Sequence, residues 1–242
     1  MSEHKMLIPA TLNLKFILPL SLIYLTIYLS ADSVAFKMIN FKNFALPGPP
    51  FIFPMSYVIG AIISEVYGSN LSKKIIWLTL ACQLIYALSV ATIIRIPSHG
   101  SSTVEAAYDI VFGKIHFFVI SGTFAVLSSS FVNVYLIAKS KILLNGRYFF
   151  LRNIFSTAIG GFILVFVIVS TVYLQTMGYK ESIALFAYIY TFEFLYTTCL
   201  AFPAWIICGF LKKHEKIDVY DYNVKFNPFN FNIDGEKENA TQ

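Results

Sequence analysis

Residues 161–173 read Gly161-Phe162-Ile163-Leu164-Val165-Phe166-Val167-Ile168-Val169-Ser170-Thr171-Val172-Tyr173. They lie inside a stretch from Arg152 to Lys180 that holds 27 residues and no charge. The run does not alternate apolar with polar, as a barrel strand must. It is longer than the roughly 20 residues a spanning helix needs. In lipid every backbone N–H and C=O must be satisfied within the segment, so a run of this kind folds as a helix.

The same ruler applies along the chain. Uncharged gaps of 16, 22, 20 and 24 residues follow Lys15, Lys42, Lys74 and Lys114, and a gap of 30 follows Glu181, broken only by Glu193. The expected class is an all-α integral membrane protein with six transmembrane helices, near 14–36, 49–68, 74–95, 113–138, 149–175 and 182–211. The membrane domain is then 14–211, between an N-terminal segment 1–13 and a polar tail 212–242.

Composition agrees. Of 242 residues, 57% are hydrophobic and 13% charged, against about 45–50% and about 25% in an average soluble domain. Mean hydropathy is +0.68. Too few charges remain to coat a water-soluble enzyme, and a disordered chain needs the opposite balance. The net charge of +5 is read as topology and not as a nucleic-acid footprint. With the N-terminus inside, the inner segments hold 13 of the 18 Lys and Arg residues and the outer segments 5. Both termini are then cytoplasmic. Ser33-Val34-Ala35 has the small-x-small form of a cleavage site, but the first span is read as an uncleaved anchor.

Two connections are long. Residues 37–48, with Asn43 and Pro47-Gly48-Pro49-Pro50, read as a turn-rich approach to the second helix. Residues 96–112 carry Glu105 and Asp109 and suit a short interfacial helix. Cys82, Cys199 and Cys208 lack zinc or redox spacing and read as buried free thiols. There is no P-loop and no Rossmann glycine pattern, and no His-Glu-x-x-His or Gly-x-Ser-x-Gly. No cofactor, metal or nucleic acid is expected; the partners are a small-molecule substrate and the lipid bilayer. A homo-oligomer or a separate energising partner stays open; Ala31 and Ala35 are the small residues that would dock one.

Several residues are candidates for solute binding or coupling. Glu193 lies about 18 Å into the last span at 1.5 Å per residue, near mid-membrane. A carboxyl there is costly and usually faces a cavity or a partner. Glu65 ends the second helix near Lys73 and Lys74. Asn133 follows Ser128-Ser129-Ser130 on a polar, small-residue face. Arg152 and Asn153 open the fifth helix. Gln83 and Tyr86 share a face of the third, and Asp32 lies near the end of the first, in reach of Lys37. Tyr57, Tyr190 or Tyr196 suits stacking on a planar ligand. His116 has no second histidine beside it. Gly160-Gly161 suits close helix packing.

Phe51-Ile52-Phe53-Pro54, then Tyr57, then Ser64-Glu65-Val66-Tyr67-Gly68 resembles the vitamin uptake transporter (VUT) family, also described as queuosine precursor transporters. Leu151-Arg152-Asn153 with Ser156-Thr157, Pro203, the tail Glu215-Lys216-Ile217-Asp218-Val219-Tyr220-Asp221 and Phe226-Asn227-Pro228-Phe229 agree with it. The resemblance covers roughly residues 20–229. It implies a bacterial inner-membrane importer of 7-cyano- or 7-aminomethyl-7-deazaguanine, similar in architecture to the substrate-binding components of energy-coupling-factor vitamin transporters. It also exposes departures. Family members commonly carry acids where this chain has Ala61, Asn133 and Leu164, and a Lys where it has Glu193. The pocket is therefore expected to be remodelled. The alternatives are a different vitamin-like or nucleobase-like solute, and a binding subunit that needs an energising complex.

Overall fold

The computed structural model of the protein describes residues 14–41, 44–96, 103–113, 115–174, 177–222 and 227. The expectations for residues 1–13, for Asn43 and for most of the tail beyond 222 lie outside them. The described chain is helical apart from one small hairpin. Its elements are α1 (Ile17–Ser33), β1 (Met38–Asn40), β2 (Ala45–Pro47), α2 (Pro54–Tyr67), α3 (Ser69–Ile94), α4 (Thr103–Phe112), α5 (Ile115–Leu143), α6 (Phe149–Ile168) and α7 (Tyr179–Glu215).

Four helical segments are long and apolar enough to cross a membrane: α3, α5, α6 with the turn that extends it, and α7. Helices α1 and α2 have 17 and 14 residues, short of the roughly 20 that span a bilayer. Within the expected span 49–68 the α-helix is confined to Pro54–Tyr67. Residues Pro49–Phe51 form a 3-10 turn, and the helix starts at Pro54, a position where no backbone donor is needed. It stops at Gly68, whose φ of +91° suits glycine. Eleven of the 14 residues of α2 are buried, and it touches α1, α3, α5, α6 and α7. It is the axis of the bundle.

The outer faces of the long helices stay apolar and exposed, with Leu78 and Ile85 on α3, Phe124 on α5, Phe155 and Phe166 on α6, and Phe202 and Trp205 on α7. This is what lipid contact requires. It also corrects the thiols: Cys208 is buried, but Cys82 and Cys199 are exposed, because an apolar stretch in such a helix has a lipid face as well as a protein face. Ala31 and Ala35, by contrast, are buried within the chain, at 3% and 2% exposure. They offer no open docking face.

The loop expected between residues 37 and 48 contains a hairpin. Strands β1 and β2 pair antiparallel, with Ile39 opposite Leu46. Leu46 is fully buried in a cluster with Val165, Val169, Leu185 and Ile189 from the α6 and α7 segments. The hairpin thereby covers one end of the bundle, here termed the hairpin end. The span expected at 149–175 is α-helical only to Ile168. Residues Val169–Tyr173 then widen into a π turn, in which the Leu174 N–H donates to the Val169 carbonyl at 2.8 Å. Such turns are frequent at functional sites. The short helix expected in 96–112 is α4; none of its residues is buried.

Opposite the hairpin lies the tail end. The start of α1 meets the end of α7, where the Phe16 N–H donates to Glu215 Oε1 at 2.9 Å. The end of α2, the end of α5, the start of α6 and the end of α7 converge there through the ionic contacts of Glu65.

Candidate functional site

A cavity opens beneath the hairpin, with about 600 Å³ of unfilled space counting its mouth. Its wall takes Ala31 and Asp32 from α1, Gln83 from α3, Phe118, Gly122 and Val126 from α5, Leu164 and Val165 from α6, and Ile189 and Glu193 from α7. Pro47, Pro49, Pro50 and Phe53 close it from the hairpin side, and Ile168 and Tyr173 flank it at the π turn. A side chain at Gly122 would meet nothing within 4 Å, so that glycine leaves open space. A Cβ at Gly161 would come 3.8 Å from Glu193 Oε2, so that glycine leaves room beside the carboxyl.

The polar groups of this wall are few. Gln83 Nε2 donates to Asp32 Oδ2 at 2.7 Å. Asp32 thus pairs with an amide and not with Lys37, and the rest of the α3 face follows: the hydroxyls of Tyr86 and Ser33 share a hydrogen bond of 3.0 Å. Glu193 is buried, and its Oε2 has no partner among the described residues; neither has Gln83 Oε1. Among the positions where the family is expected to carry other residues, Leu164 and Glu193 line the cavity and Ala61 and Asn133 do not.

Glu65 belongs to a second site, at the tail end. It is fully buried. Arg152 donates to both its oxygens, Nη1 to Oε2 at 2.8 Å and Nη2 to Oε1 at 3.0 Å. Lys212 Nζ reaches Oε1 at 2.7 Å, and Lys141 Nζ lies 3.9 Å from it while donating to the Glu65 carbonyl at 2.6 Å. Asp218 joins Lys141 at 2.5 Å and Lys212 at 3.0 Å. Three cations therefore face two carboxylates. Charges this deep persist only when paired and hydrogen-bonded on all sides.

The segment after α7 seals this network. The Val219 N–H donates to the Val66 carbonyl at 3.2 Å, and Lys141 donates to the Val219 carbonyl at 2.7 Å. Asp221 accepts from the Ser69 N–H at 2.6 Å, at the start of α3. The Lys141 ammonium sits 4.4 Å above the Tyr220 ring. Partial burial and the nearby Asp218 push the Tyr220 phenol above its ordinary value. A Cβ on Gly68 would fall 2.9 Å from Val219 Cγ1, so the glycine that ends α2 also admits the strap.

Along α6, Arg152 in the network and Leu164 in the cavity are twelve residues apart, about 18 Å. Asn153 lies between them, buried, with neither side-chain polar atom partnered among the described residues. Asn133 Oδ1, Ser56 Oγ and Ser64 Oγ are in the same condition. Asn133 packs beside Gly160, where an added Cβ would lie 3.3 Å from the Asn133 Cβ and 3.2 Å from the Ser129 carbonyl. Tyr57 is outside the cavity wall; its hydroxyl donates to the Gly160 carbonyl at 3.4 Å. Tyr190 is likewise engaged, donating to the Ala158 carbonyl at 3.3 Å, and Tyr196 packs against Phe192.

The sequence-selected residues thus divide. Glu193, Asp32 and Gln83 share the cavity, Glu65 and Arg152 share the network, and Asn133 and Asn153 are buried but belong to neither. Missed were the ionic roles of Lys141 and Lys212, whose charges read only as topology, and of Asp218, which entered only with the tail that carries the resemblance, and also the aromatic and proline wall. Among the described residues, no three of His, Cys, Asp and Glu gather to hold a metal.

A family model described as "Putative vitamin uptake transporter" matches residues 47–208, about two thirds of the chain. No curated protein and no solved structure matches it.

Proposed function

We propose, for a chain that belongs to the vitamin uptake transporter family, that this multi-pass membrane protein imports a queuosine precursor, 7-cyano- or 7-aminomethyl-7-deazaguanine, across the bacterial inner membrane. The solute binds in the cavity under the hairpin and leaves at the tail end. The 13-to-5 distribution of basic residues makes the hairpin end the outer face and the tail end the cytoplasmic one. The conformation described is then open to the outside and shut inside by the Glu65 network. Alternating access requires that this network and its strap give way once the solute is seated.

The observation that carries the reading is Glu193: a buried carboxyl whose Oε2 has no partner among the described residues, on the wall of a cavity with aromatic sides. A planar base with N–H donors satisfies that oxygen and packs against Phe53 and Phe118. The test is rescue of tRNA queuosine in bacteria that cannot make the precursor and lack their own importer, fed nanomolar 7-deazaguanine precursors and read by boronate gel shift. Rescue by the wild-type chain and its loss in Glu193→Ala are expected. Absence of rescue by protein shown to be folded in the membrane overturns the assigned substrate.

A further inference from the structure

The cavity has a charge character that its family resemblance does not supply. Two of its lining residues, Asp32 and Glu193, are carboxylic acids, each 5% exposed, and among the described residues the wall includes no Lys, Arg or His. Its donors are nearly absent as well. Pro47, Pro49 and Pro50 have no N–H. The amide of Gln83 is oriented by its bond to Asp32 Oδ2, since the reversed amide would set its carbonyl oxygen against a carboxylate. Gln83 Oε1 is left as a buried acceptor, in the same cavity lining as a Glu193 Oε2 equally without a partner among the described residues. Among the described residues, Tyr173 supplies the one hydroxyl of the wall.

Such a lining is satisfied by a ligand that brings donors and positive charge. We propose that the cavity selects a flat solute bearing a protonated amine or amidinium group. Asp32 and Glu193 read the charge, and Gln83 is the positioning residue that holds Asp32. This rests on the cavity being the solute site, and within the queuosine precursors it separates two compounds. The aminomethyl compound carries an ammonium group that donates to the acceptors and offsets the buried charge. The cyano compound brings no charge, and its nitrile lone pair cannot satisfy the Gln83 carbonyl oxygen, which can only accept. One such mismatch weakens binding by about tenfold.

The full chain in lipid nanodiscs is titrated with both compounds. The expected result is binding of the aminomethyl compound at least about tenfold tighter than the cyano compound, with that ratio falling in Asp32→Asn, Glu193→Gln and Gln83→Leu. Melting curves and gel filtration establish that each variant is folded. Equal binding by the wild type, or a ratio untouched in all three variants, overturns the inference while leaving the cavity as the solute site. If the folded wild type binds neither compound, the queuosine-precursor assignment falls, and the charge reading is decided with another pair. Benzamidinium and neutral benzamide are compared as protectants of Glu193 against a hydrophobic carbodiimide, with labelling read by mass spectrometry. Protection by benzamidinium alone sustains the inference; protection by both or by neither overturns it.

Discussion

Arg152 holds both carboxylate oxygens of Glu65, at 2.8 and 3.0 Å, although 87 positions separate them in sequence. The pair ties the start of α6 to the end of α2, and Lys212 brings in the end of α7. Opening the bundle at this end means breaking it. Glu65→Gln leaves Lys141, Arg152 and Lys212 with only Asp218 between them, and breaking a buried pair costs about 3–5 kcal/mol. The expected outcome is low yield and a melting temperature several degrees below wild type. Arg152→Lys keeps the charge but loses the two-pronged grip. It is expected to fold, with a smaller loss of melting temperature and altered uptake. An unchanged melting temperature in Glu65→Gln would remove the network from the stability of the tail end.

The strap gives a second handle. Val219 and Asp221 cover the α2–α3 turn through the Val66 carbonyl and the Ser69 N–H. Ser69 is only 2% exposed. Ending the chain after Glu215 removes these contacts and also Asp218. A cysteine at position 69, in a chain whose native cysteines are replaced by alanine, is then expected to react with a water-soluble maleimide at least about tenfold faster than in the full-length chain. Equal rates would mean that the strap does not guard the tail end. Gly68→Ala makes the same point with one methyl group. It strains a φ of +91° and sets a Cβ 2.9 Å from Val219 Cγ1, at a cost of about 1–3 kcal/mol, so its labelling rate should move toward that of the truncated chain.

Leu164 tests the remodelled cavity. Of Ala61, Asn133 and Leu164, the positions where the resemblance leads to the expectation of an acid, it alone lines the cavity. Leu164→Asp adds a third carboxyl to a wall without cations among the described residues. Uptake of a neutral solute is expected to fall, and of a cationic solute to fall less or to rise. Equal effects on both, measured side by side in cells with matched protein levels, would show that position 164 does not sense charge.

Charge-free gaps located the long helices because the cost of unpaired backbone in lipid leaves a chain little choice there. They failed where tertiary contacts decide. Three-residue strands carry no alternation to read, and the hairpin exists because Leu46 finds a buried seat against α6 and α7. The polar residues of the cavity wall were legible because Glu193, Asp32 and Gln83 are polar groups inside apolar runs. Their pairing was not. Asp32 took Gln83, 51 positions away, over nearby Lys37. Glu65 took Arg152, Lys212 and Lys141 over Lys73 and Lys74, and Lys73 Nζ donates instead to the Asn227 carbonyl at 3.1 Å. Lys141 and Lys212 were counted as markers of sidedness, a role that hides a buried ionic one.

Gly160 and Gly161 are adjacent and are expected to fail differently. A Cβ at Gly160 would lie 3.2 Å from the Ser129 carbonyl and 3.3 Å from the Asn133 Cβ. The first of these is backbone of α5, which cannot rotate away. Gly160→Ala must therefore push α5 and α6 apart, at a cost of about 1–3 kcal/mol, and should lower the melting temperature. A Cβ at Gly161 meets only Glu193 Oε2, at 3.8 Å, an ordinary contact. Gly161→Ala should melt at or above wild type, because replacing Gly by Ala in a helix adds up to about 1 kcal/mol in its favour. Gly161→Leu carries the side chain on toward the Glu193 carboxyl. It is expected to keep the fold and to lose most solute binding. Melting curves and a binding titration on the three variants separate the two positions: loss of binding without loss of stability is predicted only at 161, and the same pattern at 160 would mean that the cavity reaches further along α6 than Leu164.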